Sequence, residues 1–96
     1  MRAYVIVEIR IHDAAHYEKY KELTPASIAE YGGRFVVRGG RTVTMEGDWH
    51  PERIVVAEFP SLERAQEWWN SDNYEKAKSI RHASAHTKMI IVEGVD

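Results

Sequence analysis

A chain of 96 residues, 44% of them hydrophobic, holds material for one small domain over 1–96 and not for two, and its composition lies well outside that of disordered chains. Thirteen basic residues against fifteen acidic ones leave a net charge of −2, so there is no broad positive field for nucleic acid or anionic lipid, and no apolar stretch approaches the roughly 20 residues that span a bilayer. Cysteine is absent, which removes disulfides, thiolate nucleophiles and zinc–thiolate sites together and fits a cytoplasmic location; Glu8 and Arg10 interrupt the first apolar segment too early for a secretion signal.

Seventeen residues are Val or Ile and only two are Leu, a bias toward the β-branched types that suit strands. It concentrates in Ala3 to Ile11, Arg34 to Arg38, Arg53 to Phe59 and Thr87 to Glu93. After the first of these, Asp13 is placed to cap a helix carrying Tyr17, Tyr20, Leu23 or Thr24, Ile28 and Tyr31 at three- and four-residue spacing. Pro25 falls inside that pattern and predicts a kink or break near Thr24, while Gly32 and Gly33 mark the helix end. Gly39-Gly40 signals a turn, after which Thr42 to Glu46 reads as a short extra hairpin strand and Glu46 to Pro51 as a surface loop.

Pro60-Ser61 opens a second helix with Leu62, Ala65 and Trp69 on one stripe, and Asp72 with Glu75 resembles the capping box of a further helical piece carrying Tyr74, Ala77 and Arg81. The order β-α-β-β-α-β predicts an α+β, ferredoxin-like fold, an antiparallel sheet with its helices on one face. Ile54 to Ala57 and Met89 to Val92 are continuous apolar runs, and Tyr4 and Ile6 add apolar groups opposite Val5, Val7 and Ile9. Both faces of the sheet therefore require cover, and helices supply only one. A homodimer joined through the open sheet faces is the expected assembly.

Polar residues within the strands are the first candidates for chemistry. Arg38 and Glu58, with Glu8 nearby in type, would line a pocket in which a guanidinium binds an anion and a carboxylate moves a proton, provided the strand register brings them to one face. By strict alternation Arg38 shares a face with Arg34 and Val36, and Glu58 with Ile54 and Val56. The competing reading is a structural ion pair at a strand end or dimer seam. His12/His16 and His82/His86 have the four-residue spacing of a helical metal pair, but the first straddles a strand end, the second runs off a helix, and neither has a third ligand nearby, so no metal is expected. Trp68 and Trp69 point about 100° apart on a helix. Trp69 continues the core stripe, leaving Trp68 for a pocket wall or a dimer contact; the equal alternative is that both pack in the core at a broad helix–sheet boundary. The glycine pairs follow a helix and a strand rather than leading into a helix N-terminus, so no phosphate cradle is implied.

The run from Tyr31 to Gly40, then Glu58-Phe-Pro-Ser61, Trp69, Ser71, Tyr74 and Arg81, and finally Ile91 to Gly94, resembles a widespread bacterial family of unknown function. That family belongs to the dimeric α/β-barrel superfamily, whose ferredoxin-like chains pair their sheets into a shared barrel. The resemblance covers essentially the whole chain and implies a ligand pocket between sheet and helices. Superfamily members include cofactor-independent monooxygenases, haem-degrading enzymes, muconolactone isomerases and stress-induced barrels. The haem-degrading pattern calls for an Asn on the first strand, where this chain has Glu8. No cofactor is therefore implied. The expected pocket residues are Tyr17, Arg38, Glu58, Trp68 and Arg81, around a small organic molecule, anionic or aromatic. One alternative is an isomerase or cofactor-free oxygenase in which Arg38 orients the substrate and Glu58 or His82 transfers protons; another is a non-catalytic stress or accessory module.

Overall fold

The computed structural model describes residues 1–95. Its elements run β1 (Ala3–Ile11), α1 (Ala14–Glu30), β2 (Arg34–Arg38), β3 (Arg53–Phe59), α2 (Leu62–Trp69), α3 (Asp72–Ser84) and β4 (Ala85–Glu93). The strands form one antiparallel sheet in the order β2-β3-β1-β4, which is the ferredoxin-like arrangement with its second helical segment divided in two. One face of the sheet presents Val5, Val7, Ile9, Val55, Ala57 and Phe59, and these pack into a single core with Tyr17, Tyr20 and Ile28 of α1 and with Ala65, Trp68, Tyr74 and Ala77 of α2 and α3.

Side-chain caps set the helix starts. Asp13 accepts from the His16 amide at 3.1 Å, Ser61 from Arg64 at 3.1 Å and Ser71 from Tyr74 at 3.2 Å. The third helix is thus capped by Ser71, with Asp72 and Glu75 in its first turn, rather than by the expected Asp72–Glu75 box. β4 begins at Ala85, two residues earlier than the apolar run implied, so His86 lies on a strand and cannot form a helical pair with His82. The segment Thr42 to Glu46 is not a strand: beyond Gly39, whose amide closes onto the Ile54 carbonyl at 2.9 Å, the chain leaves the sheet without ladder partners.

Pro25 does not break α1, which continues to Glu30. A proline within a helix has no amide for the carbonyl four residues earlier, here that of Lys21. Arg38 supplies the missing donor, its Nη2 reaching Lys21 O at 2.8 Å. It can do so because β2 carries a β-bulge. Arg34 pairs with Glu58 and Phe35 with Ala57, but the next pairs are Val37 with Val56 and Arg38 with Val55, leaving Val36 as the extra residue. The bulge reverses the alternation, so Arg38 shares the helix-covered face with Val55, whereas Arg34 and Glu58 lie on the open face.

The tryptophans are placed the other way round from the stripe argument. Trp68 is 2% exposed, stacked 4.0 Å from the Tyr74 ring centroid and donating its indole N–H to Ser27 Oγ at 3.1 Å. Trp69 is half-buried beneath the Lys78 ammonium, 4.0 Å from its ring centroid. The side chain that finds both a ring to stack on and an acceptor for its N–H takes the interior site. Replacing Trp68 with Ala should cost about 3–5 kcal/mol in urea unfolding, as expected for emptying a large core site, and Trp69→Ala nearer ~1 kcal/mol; equal losses would overturn this placement.

Candidate functional site

Beneath the sheet, between β1, β2, β3 and α1, lies a small hollow of about 20 Å³ lined by Val7, Ile9, Tyr17, Tyr20, Phe35 and Val55, with Arg38, Arg53 and the Lys21 stem at its rim. That volume admits about one water molecule. Tyr17 and Arg38, both expected at the pocket, meet here. Arg38 is held by Lys21 O on one side and by the Phe35 ring on the other, with its guanidinium carbon 4.4 Å from that ring centroid. Among the described residues, that carbonyl is its one hydrogen-bond acceptor.

Arg53 is the residue that sequence reasoning missed. It opens β3 opposite Ile9 and shares the inward parity of Val55 and Ala57, so its guanidinium goes under the sheet rather than to solvent. Its head lies 5.8 Å from the Tyr17 ring centroid and against Gly39, where an added Cβ would stand 2.1 Å from Nη1. Only glycine leaves that room, and Gly39 also has φ of +76°. Arg53 Nε is buried with no hydrogen-bond partner. The available signal was parity: a charge in phase with the buried positions of its own strand.

The other expected site residues are dispersed. Glu58 lies on the open face, 3.2 Å from Arg34 Nε and 3.9 Å from Arg2 Nε, so it does not pair with Arg38. Glu58 thus makes a strand-end ion pair, with Arg34 and Arg2 in the place considered for Arg38. Trp68 is a core residue rather than a pocket or dimer contact; with Trp69, Met89 and Ile91 it does back a separate open cleft of about 340 Å³ between α2 and β4. Arg81 is 1% exposed, behind the hollow rather than in it. Its Nε donates to Tyr74 Oη at 3.2 Å, Nη1 bonds Thr87 Oγ1, and Tyr74 Oη is 2.7 Å from Tyr20 Oη. His82 lies exposed on α3, its Nε2 3.4 Å from Arg81 Nη2. His12 and His86 approach each other, with ring centroids 5.2 Å apart, and no group of three or more His, Asp or Glu residues converges among the described residues.

Burial raises the pKa of Tyr17, an effect reinforced by Tyr20 and opposed by the Arg53 charge. Burial likewise raises Tyr20 and Tyr74, so all three phenols are protonated at neutral pH and serve as neutral hydrogen-bonding groups. The site can therefore bind and orient an anion, but its lining contains no carboxylate or histidine in position to act as a base.

The family profile of a domain of unknown function (DUF1330) matches residues 2–95. The chain belongs to that family. No curated protein matches it. Among solved structures, a protein of unknown function from Rhodopseudomonas palustris superposes with a TM-score of 0.81 at 19% identity, over 99% of this chain and 83% of that one. A dimeric ferredoxin-like protein of unknown function from Jannaschia sp. CCS1 gives 0.75 at 10% identity, over 98% and 100%. A cofactor-independent oxygenase from Streptomyces nogalater gives 0.71 at 14%, over 99% and 94%. These likenesses establish the ferredoxin-like fold. No helix among the described residues of this DUF1330 chain is long and apolar enough to cross a membrane.

His82 supplies a pH test of the Arg81 environment. Its pKa is lowered by partial desolvation and then by the charges of Arg81 and Lys78, against the pull of Glu75. The unfolded chain therefore takes up the proton first as pH falls, so this contribution to stability is present above the ordinary histidine range near ~6.5 and is lost as pH drops through the lower folded value. His82→Asn should flatten the acid side of the stability curve in that window, read by urea midpoints at successive pH values; an unchanged slope would remove His82 from the account.

Proposed function

We propose that this DUF1330 protein is a homodimer, closed sheet face to sheet face, in which each subunit holds a small organic molecule between its sheet and helices. The observation that carries the binding reading is the convergence of two arginine heads and a tyrosine on an otherwise apolar hollow, the usual composition of a small-molecule site. The described hollow takes only the innermost atoms of such a ligand. The rest would lie along the rim beside Gly39 and Gly40, where no atom stands within 4 Å of a Cβ added at Gly40.

The dimer reading rests on the open face. Ile90 and Val92 are 61% and 43% exposed in the single chain, and Tyr4, Ile6, Ile54 and Val56 are only half-covered beside them. Trp49, in the loop after β2, is 58% exposed and donates its indole N–H to Glu8 on this face at 2.9 Å. An apolar face of this kind is a contact surface, and the Jannaschia protein of the same fold is dimeric. In the oxygenase or isomerase alternative, Glu58 cannot work beside Arg38, because the bulge puts them on opposite faces, and His82, the other proton carrier considered, is not in the lining of the hollow.

Light scattering should give twice the chain mass, and Ile90→Lys with Val92→Lys should give a folded monomer; a monomeric parent protein would overturn the assembly. A thermal-shift screen of a metabolite library should yield stabilising compounds, since a ligand at ~100 times its Kd adds about 2.7 kcal/mol to the native state. Ligands whose amide shift changes map to the cleft between α2 and β4 instead of to Phe35, Gly39 and Arg53 would relocate the site.

A further inference from the structure

Among the described residues, the arginines of the helix-covered layer have no carboxylate partner. Arg38, Arg53 and Arg81 all lie on that side of the sheet. The ion pairs of the described residues involve other cations: Glu58 with Arg2 and Arg34, Glu18 with Lys21, Glu67 with Arg64, Glu75 with Lys78 and Asp48 with His50. Guanidinium groups do not lose their proton in proteins, so the charge cannot be removed by titration. Arg81 is buried and Arg53 half-buried, whereas Arg38 is exposed, so the cost of an unpaired charge falls on the first two.

Arg81 is accommodated without an anion. Three of its nitrogens have polar neighbours, and its head lies 5.6 Å from the Trp69 ring centroid and 5.9 Å from that of Tyr20. Arg53 is accommodated less fully, with the Tyr17 hydroxyl as its polar neighbour. Its Nε has no acceptor, its head is clamped between Gly39 and Tyr17, and it borders the same hollow as Arg38, which has already committed one nitrogen to Lys21 O. Two fixed guanidinium heads with unused donors at one apolar mouth match the needs of a planar oxyanion, because each fork can donate paired N–H groups.

We propose that Arg38 and Arg53 form a two-sided seat for the carboxylate or enolate oxygens of a small organic acid, with Tyr17 as the floor and Phe35 as the wall. This rests on the proposed pocket and specifies the charge of the ligand. Arg53 is the principal anion-binding residue, since its Nε gains a partner only when the oxyanion is present. Gly39 is a positioning residue, for any side chain there displaces the Arg53 head.

The test uses benzoate as probe and benzamide as its neutral counterpart, at matched ionic strength, with backbone amide shifts of the intact protein reporting both binding and fold. Benzoate should perturb Phe35, Gly39 and Arg53 and bind at least about tenfold more tightly than benzamide. Arg53→Gln and Arg38→Gln should each weaken benzoate by about tenfold or more while leaving benzamide unchanged, and Arg53→Lys should fall between. Arg64→Gln, on the surface of α2, should bind as the parent does. Gly39→Ala should reproduce the loss of Arg53→Gln; if it folds and binds benzoate normally, the positioning role is overturned. Equal binding of benzoate and benzamide, or benzoate binding indifferent to Arg53→Gln, overturns the seat. If a metabolite hit still maps to the hollow in that case, the pocket reading stands without it. Failure of benzoate and of every library member to bind removes both.

Discussion

A missing hydrogen bond in α1 organises much of this domain. Pro25 deprives the Lys21 carbonyl of its helical partner, and a hydrogen bond that replaces it contributes about 1 kcal/mol net. The donor comes from a different element, the last residue of β2. Arg38 reaches it only because the strand inserts Val36 as a bulge and so turns its final side chain under the sheet. Proline, bulge and arginine form one device. They tie the middle of α1 to the edge strand, and they leave a guanidinium fixed at the rim of the hollow, where a flexible surface arginine would lose more entropy on binding.

The interior is correspondingly mixed rather than oily. The buried stripe of α1 includes Tyr17, Tyr20, Thr24 and Ser27, and its polar groups facing α2 and α3 have defined partners. Ser27 accepts from Trp68, and Tyr20 meets Tyr74, which accepts from Arg81. Thr24 and Ser27 also return hydrogen bonds to the helix, to Tyr20 O and Thr24 O, on either side of the proline. Such a network fixes the relative orientation of the three helices more tightly than apolar contact alone, because any shift leaves a buried donor or acceptor unpaired.

These features also explain what the sequence made legible. The strand bias, the helical spacing of Tyr17, Tyr20 and Ile28, and the apolar runs were enough for the ferredoxin-like order and for a two-sided sheet, since each depends on local periodicity. The Arg38–Glu58 pairing failed because a bulge shifts parity by one residue and leaves no mark in a five-residue strand as β-branched as Arg34 to Arg38. Trp68 and Trp69 were exchanged because an eight-residue helix has too few turns to define a stripe, and the choice is made by Tyr74 on the next helix and by Ser27, distant in sequence. Arg53 was visible in principle, in phase with Val55 and Ala57, but a charge at the first position of a strand is ordinarily read as solvated.

Strand parity then divides the labour of the domain. Along β3, Ile54, Val56 and Glu58 face the open side while Arg53, Val55, Ala57 and Phe59 face the helices, and the same division runs through β1. A substitution at an even position of β3 acts on the proposed seam, and one at an odd position acts on the hollow or the core. The two surfaces are separated by a single backbone layer, from which successive side chains leave in opposite directions. Closing the open face would therefore hold the sheet against its partner without covering the rim at Gly39 and Gly40, which belongs to the other side. On the proposed reading, assembly and ligand access could thus be changed independently, and Glu58, tied to Arg2 and Arg34, lies on the seam side of the sheet, away from Arg38.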